Sequence, residues 1–505
     1  MKLIYQVEDK PKFPQLIVFA LQQLLAIMAA TIAVPAIVGH DMSSTAALFG
    51  AGVGTLVYLL FTQFKSPVFL GSSFAFLGSM AAAFAGGVSM QLGYLGLILG
   101  ALLAGLVYVV IAIVVKVAGV KWINKLMPAV VIGPIVAIIG LSLAGNAVGD
   151  LTKGNVTHEV TEKVAEIVDA EAGQAQIVDS VSNVQSASPY LCLVVGLITL
   201  AVTMLCSVYG KKMLKMIPFI MGILAGYAVA AIFTVIGNAT DTASLQIINF
   251  SIFDGIKAFA VPDFTFLKAA KGFSELDGSY FLTIFAAYVP VAFVVFAEHI
   301  ADHKNLSSII DVDLTEKPGL HRTLLGDGVG SFAGAIFGGC PNTTYGESIG
   351  CVAISGNASV ITILYTAILA ILISFIGPFA TFLATIPSCV MGGVCMALYG
   401  FIAVSGLKMI QKVDLNENRN LFVVSVILIA GVGGLTVSFG DVTITSVACA
   451  LILGILTNTI LTSPGRRRST RTCSASRPRM IAIPPLKFVP AMKNLGMSQR
   501  PPFSI

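Results

Sequence analysis

Pro341-Asn342-Thr343-Thr344-Tyr345-Gly346-Glu347-Ser348-Ile349-Gly350 interrupts the apolar second half of this chain. Proline, glycine and hydroxyl side chains make a poor continuous helix. Irregular backbone at bilayer depth survives only where it lines a cavity or is packed in protein. The stretch also carries Glu347, and an ionised carboxylate costs several kcal/mol to bury without a partner. A second acid stands in a longer apolar run, Tyr288-Val-Pro-Val-Ala-Phe-Val-Val-Phe-Ala-Glu298-His299-Ile300. Ionisable groups inside membrane spans are functional candidates, so Glu298 and Glu347 head the candidate site.

The surroundings are those of a membrane protein. Of 505 residues, 56% are hydrophobic and only 11% charged. Apolar runs of the roughly 20 residues that cross a bilayer recur from end to end. The expected spans are 15–39, 45–64, 67–86, 91–118, 126–146, 189–208, 215–237, 280–300, 321–340, 342–357, 359–376, 378–406, 420–438 and 441–462, about fourteen, with the third and tenth short. Lys2, Lys10 and Lys12 precede the first span without a signal-cleavage site. Lys116, Lys121, Lys125, Lys211, Lys212, Lys215, Lys304, Lys317, Arg322, Lys408, Lys412 and Arg419 fall in alternate loops, which places both termini inside. The acidic outer loop 147–188 reads as a solvated surface loop. The eight cysteines show no paired metal spacing and read as small core residues. No metal, cofactor, phosphate loop or catalytic triad is expected, nor a nucleic-acid partner, and an enzyme is disfavoured.

Three segments echo each other across the halves. Gly50-Ala-Gly-Val-Gly-Thr55 matches Gly326-Asp-Gly-Val-Gly-Ser331, Ser72-Ser73-Phe74 matches Thr343-Thr344-Tyr345, and Met127-Pro128-Ala-Val-Val-Ile-Gly133 matches Ile386-Pro387-Ser-Cys-Val-Met-Gly392. Each pair is seven expected spans apart, and an odd displacement turns one copy upside down. That predicts an all-α polytopic protein of two inverted seven-span repeats, the architecture of secondary transporters. Paired broken spans point to a binding site near the midplane.

Ala297-Glu298-His299-Ile300, Pro318-Gly-Leu-His321-Arg322, Pro341 to Glu347, and Leu70-Gly-Ser-Ser-Phe74-Ala-Phe76 resemble the nucleobase–ascorbate transporter family, especially its uracil branch. The resemblance covers about residues 10–462. It implies a core (about 10–118 and 280–376) and a gate (about 119–279 and 377–462), with short strands in spans three and ten. It further implies proton-coupled uptake of uracil across the cytoplasmic membrane, and a homodimer through the gate. By position, Glu298 and Glu347 would grip the base, the backbone of Phe74 and Gly346 would complete the pocket, and Ala30 and Tyr399 would lie nearby. Glu298, Glu347 and Asp302 are the proton-coupling candidates. The family signature opens here as Glu347-Ser348-Ile349-Gly350, where Ser348 stands for the usual Asn; Ser355 stands for Thr, and Gln23 and Asp302 for two frequent His.

The chemistry of the residues agrees. Uracil is flat and neutral, with alternating N–H donors and C=O acceptors on its edge. A carboxylate accepts from the former, and backbone N–H groups of a broken helix donate to the latter, by charge-assisted bonds about twice as strong as neutral ones. Desolvation favours the neutral form of a carboxyl group, so a buried glutamate can carry a proton with the solute. Xanthine or purine symport is the alternative substrate, and an anion carrier of the same inverted architecture the alternative class. Two span-interior glutamates and no span-interior Lys or Arg favour the neutral solute. His299 reads as packing or support, and Asp327 as a helix-packing, hinge or proton residue. The tail 463–505, with nine Arg/Lys, seven prolines and no acid, is expected to be disordered and dispensable.

Overall fold

Two helix pairs that touch backbone to backbone organise the fold, which a computed structural model describes over residues 3–119, 122, 127–169, 174–211, 213–439 and 442–462. The tail lies outside the described residues. The first half contains α1 (Phe13–Val38), α2 (Ser44–Phe61), β1 (Leu70–Ser72), α3 (Leu77–Ala83), α4 (Met90–Ala118), α5 (Ala129–Ser142), α6 (Ala144–Asp150), β2 (Thr157–Asp169), β3 (Gln174–Gln185), α7 (Pro189–Tyr209) and α8 (Pro218–Ala239). The second contains α9 (Gly278–Ile310), α10 (Leu320–Gly338), β4 (Asn342–Thr344), α11 (Gly346–Ser355), α12 (Val360–Ile373), α13 (Gly377–Thr385), α14 (Ser388–Ile410), α15 (Asn418–Val432), β5 (Val437–Phe439), β6 (Val442–Ile444) and α16 (Ser446–Thr462). Among the described residues, eight helices are long and apolar enough to cross a membrane, with α5 and α6 counting as one run, Ala129–Asp150, and four apolar helices are shorter. Side chains such as Val110, Ile232, Ile429 and Leu456 cover their outer faces with apolar surface.

The first crossing joins α2 to α10. A Cβ on Gly54 would come within 2.6 Å of the Gly330 carbonyl oxygen, so only glycine permits this approach. Gly50 meets Gly334 on one side of that point, and Gly326 meets Tyr58 on the other. The displacement that carries Gly50 onto Gly326 converts the first of these contacts into the second. The second crossing joins α5 to α14, where Gly140 lies against the Tyr399 carbonyl. Gly133 meets Gly406 and Ile410, while Gly392 meets Ala147 and Leu151, and the displacement that carries Met127 onto Ile386 exchanges these contacts in turn. Both crossings are two-fold symmetric, which is the mark of an inverted repeat. Two of the three sequence echoes are therefore packing motifs.

The third echo is the sheet. β1 and β4 pair antiparallel, Leu70 with Thr344, Gly71 with Thr343 and Ser72 with Asn342. Outside the ladder Ser73 N donates to Pro341 O at 2.9 Å and Tyr345 N to Phe69 O at 3.2 Å, a symmetric pair. The two-fold thus relates Gly71 to Thr343, and so Phe74 to Gly346 and Ala75 to Glu347. The sequence match, Ser72 to Thr343, is one residue out of step. Matching hydroxyls to hydroxyls and aromatic to aromatic selects the wrong register, whereas the hydrogen-bond ladder sets Phe74 on Gly346.

Three further departures from expectation have physical causes. The single span expected at 378–406 is two helices, α13 and α14, divided at Ile386-Pro387. Asn155 bridges the break: its Nδ2 donates to Ile386 O at 2.9 Å, and its Oδ1 accepts from Ser388 N at 3.1 Å. The outer loop holds the hairpin β2–β3, so the chain is not all-α. Its Val, Ile and Thr content favours strands, although its charge suggested a loop. A second hairpin, β5–β6, precedes α16.

Candidate functional site

β1 and β4 meet between two short helices. Phe74 opens a single 3-10 turn that leads into α3, and Gly346 opens α11, so the first-turn N–H groups of both lie at the helix starts beside the strand pair. Thr55 fixes β1 by accepting from Leu70 N at 2.9 Å and donating to Leu70 O at 3.2 Å. Asn342 Nδ2 donates to Gly50 O at 3.2 Å, and Tyr345 OH to Ser72 O at 2.8 Å. Gln23 on α1 donates to the Ser348 hydroxyl, and to Ser348 O at 3.2 Å, while that hydroxyl accepts from Phe69 N at 3.1 Å. Ser348, at the usual Asn position, is thus the junction between α1, β1 and α11.

A cavity of about 380 Å³ adjoins this junction. One wall is the face of α9 that carries Glu298, Ala301, Asp302 and Asn305, at the spacing of one helix face. The start of α11, with Gly346 and Glu347, and Phe74 before α3 form the end. The opposite wall comes from Val136 of α5 and from Phe401, Ser405 and Met409 of α14. The cavity therefore lies between the two crossings, with the acids on one side and an apolar wall on the other.

Glu298, Glu347, Asp302, Phe74 and Gly346 all line this cavity. Asp302 accepts from Thr344 Oγ1 at 2.8 Å. Among the described residues, neither Glu298 nor Glu347 is bonded to another side chain, and both are half-buried at the cavity surface. Tyr399 stands behind Phe74, ring edge to face with centroids 5.6 Å apart, and does not line the cavity. Ala30 is fully buried; Ala26, one turn earlier, is the α1 residue on the cavity wall. Sequence reasoning missed Lys215, a cation at the cavity edge, because it counted that residue only as a loop charge.

The other face of α9 is a buried polar column. His299 Nδ1 lies 2.7 Å from Asp327 Oδ2 and its Nε2 3.0 Å from Thr323 Oγ1. His303 stacks on His299 with centroids 4.0 Å apart and bonds to Tyr58 OH at 2.8 Å, which donates to Ser66 at 2.7 Å. His299 and Asp327 therefore join α9 to α10 and stand apart from the cavity.

These features define a multi-pass membrane protein with an acid-bearing cavity between paired helices. The fold is that of known transporters. The transmembrane domain of the cyanobacterial bicarbonate transporter BicA superposes with a TM-score of 0.53 at 15% identity, over 90% of this chain and 100% of that one. Murine Slc26a9, an anion transporter in the inward-facing state, gives 0.58 at 13%, over 90% and 69%. The sequence profile of the permease family matches residues 14–439. The uracil permease of Bacillus caldolyticus is 38% identical over 469 residues, 92% of this chain and 96% of that protein. That of Escherichia coli K12 is 36% identical over 451 residues, 89% and 92%. The chain belongs to this family, the nucleobase–ascorbate transporters, whose members are permeases and not enzymes.

Proposed function

We propose that the protein takes up uracil with a proton across the cytoplasmic membrane by alternating access. The observation that carries this reading is the pair of carboxylates, Glu298 and Glu347, open to one cavity beside the free N–H groups of Phe74 and Gly346. The carboxylates accept from the uracil N–H groups, and the helix-start amides donate to its carbonyls. The uracil permeases with which the chain is collinear support the substrate. Glu298, Glu347 and Asp302 share the proton. Tyr399 holds Phe74 against the base from behind, and Ala30 supports the α1 wall.

In this reading fourteen spans form two inverted sets of seven. Eight are the long helices; α10, α12, α15, α16 and the two strand-broken segments supply the others. The core (10–118 and 280–376) carries the acids, and the gate (119–279 and 377–462) carries the apolar wall and rocks against it. Both termini face the cytoplasm, and the gate supports a homodimer. The fold neighbours named for anions raise the alternative of an anion carrier, but three acids against Lys215 alone among the lining residues disfavour it. The test is uptake of radiolabelled uracil in cells lacking their own carrier. Saturable uptake that xanthine and bicarbonate fail to inhibit supports the proposal; inhibition by bicarbonate rejects it.

A further inference from the structure

Ten residues make α11, too few to hold a helix together without outside support. Its first turn carries Glu347 and is held through Ser348 by Gln23. Its last turn ends at Gly356, whose φ of +67° turns the chain into the left-handed region. This end is held by a strap from the opposite end of the sequence. Ile4 N donates to Gly356 O at 2.7 Å, Ala358 N to Tyr5 O at 3.0 Å, and Val360 N to Val7 O at 3.0 Å. Ser359 Oγ closes the set by donating to Asp9 O at 2.6 Å. The strap is anchored in turn on α1. Tyr5 OH donates to Gln15 Oε1 at 2.7 Å, and its ring meets that of Phe19 edge to face with centroids 6.0 Å apart.

The attachment combines backbone bonds with partial packing: Ile4 is 65% exposed, while Leu3 and Val7 pack partly buried against the core. The strap's hydrogen bonds fix where α11 ends and α12 begins. We propose that residues Ile4–Asp9 are a positioning element for transport: they hold the far end of α11, and through it the aim of Glu347 into the cavity. This inference rests on the placement of Glu347 at the nucleobase. With the strap released, α11 keeps the Ser348 junction and the packing of Ile349, Cys351 and Val352 but loses the hydrogen bonds at its far end, and the carboxylate samples poses that do not meet the base.

The test compares the full chain with a variant lacking residues 1–8, and with Ile4→Pro, which removes the shorter of the two donors to Gly356 O and leaves Tyr5 N at 3.3 Å. Uracil Kd is measured on purified protein in nanodiscs, beside amide exchange along the chain. Releasing the strap predicts a Kd weaker by about five- to twentyfold, which is about 1–1.8 kcal/mol and so only a fraction of the hydrogen-bond energy removed, with exchange accelerated locally at 350–360. Tyr5→Phe, which loses only the anchor to Gln15, weakens binding about two- to fivefold. If the deletion does not fold, the two point variants carry the test. An unchanged Kd together with unchanged exchange at 350–360 overturns the inference, as does a uniform rise in exchange across all helices. If the full chain binds no uracil, the functional reading fails instead, and local exchange at 350–360 still decides whether the strap holds α11.

Discussion

The two broken segments share a backbone and differ in chemistry. Around the two-fold axis Phe74 matches Gly346 and Ala75 matches Glu347, so each strand leads into a short helix at an equivalent place. The first-half segment presents Phe-Ala-Phe, and Phe76 stacks on Tyr288 with centroids 5.5 Å apart. The second-half segment presents Gly-Glu-Ser, with the glycine exposed and the acid facing the cavity. Symmetry supplied two helix starts with donors. The two starts have diverged: one is apolar, and the other carries an acid at the cavity. A flat solute with a polar edge needs both.

The comparison can be broken most severely on α9, which faces both segments. Glu298→Gln mimics the permanently protonated acid, so proteoliposomes with an imposed pH gradient should lose uracil accumulation entirely while exchange of inside for outside uracil survives in part. Accumulation by this variant moves the proton to Asp302 or Asp327. For the unaltered protein, uptake that requires a loaded proton should fall as external pH rises and collapse with a protonophore; uptake that is flat from acid to alkaline external pH contradicts coupling.

Ser348→Ala removes the hydroxyl that joins Gln23 to Phe69, and two lost buried hydrogen bonds predict uracil binding about tenfold weaker. The matching hydroxyl-free position in the first half, Phe76, has no such junction to lose. Phe76→Leu should shift binding by no more than about threefold, since it only trims a stacked ring. Equal losses in the two variants would mean that the segments have not divided their roles. Selectivity is the finer test. Phe74, backed by Tyr399, bounds one end of the cavity, so xanthine should compete less well than unlabelled uracil; equal competition places the chain in the purine branch.

Much of this was legible before any coordinates because membranes restrict what polar residues can do. Glycine at Gly54 and Gly330, and the acids at Glu298 and Glu347, stood out against an apolar background. What was not legible needed the third dimension. The one-residue shift that matches Ser72 to Thr344 instead of Thr343 is decided by a hydrogen-bond ladder that leaves no trace in hydropathy. The break at Ile386-Pro387 is stabilised by Asn155, more than two hundred positions away, and distant partners cannot be read from local pattern. Ala30 and Ala26 differ by one helical turn, and only the packed helix decides which reaches the cavity. Lys215 looked like a loop charge because its loop returns to the cavity edge only through the fold. The pairing of His299 with Asp327 followed no local spacing, and it explains why His299 supports α9 rather than meeting solute.

The central claim is that Glu347, at the start of the second broken helix, grips the nucleobase. Equilibrium binding of radiolabelled uracil to purified Glu347→Gln tests it most directly. The substitution keeps the volume and turns one acceptor oxygen into a donor facing the base N–H. A charged hydrogen bond worth about 1.5–3 kcal/mol predicts binding weaker by roughly ten- to a hundredfold. Near-normal affinity in the folded variant would contradict the account.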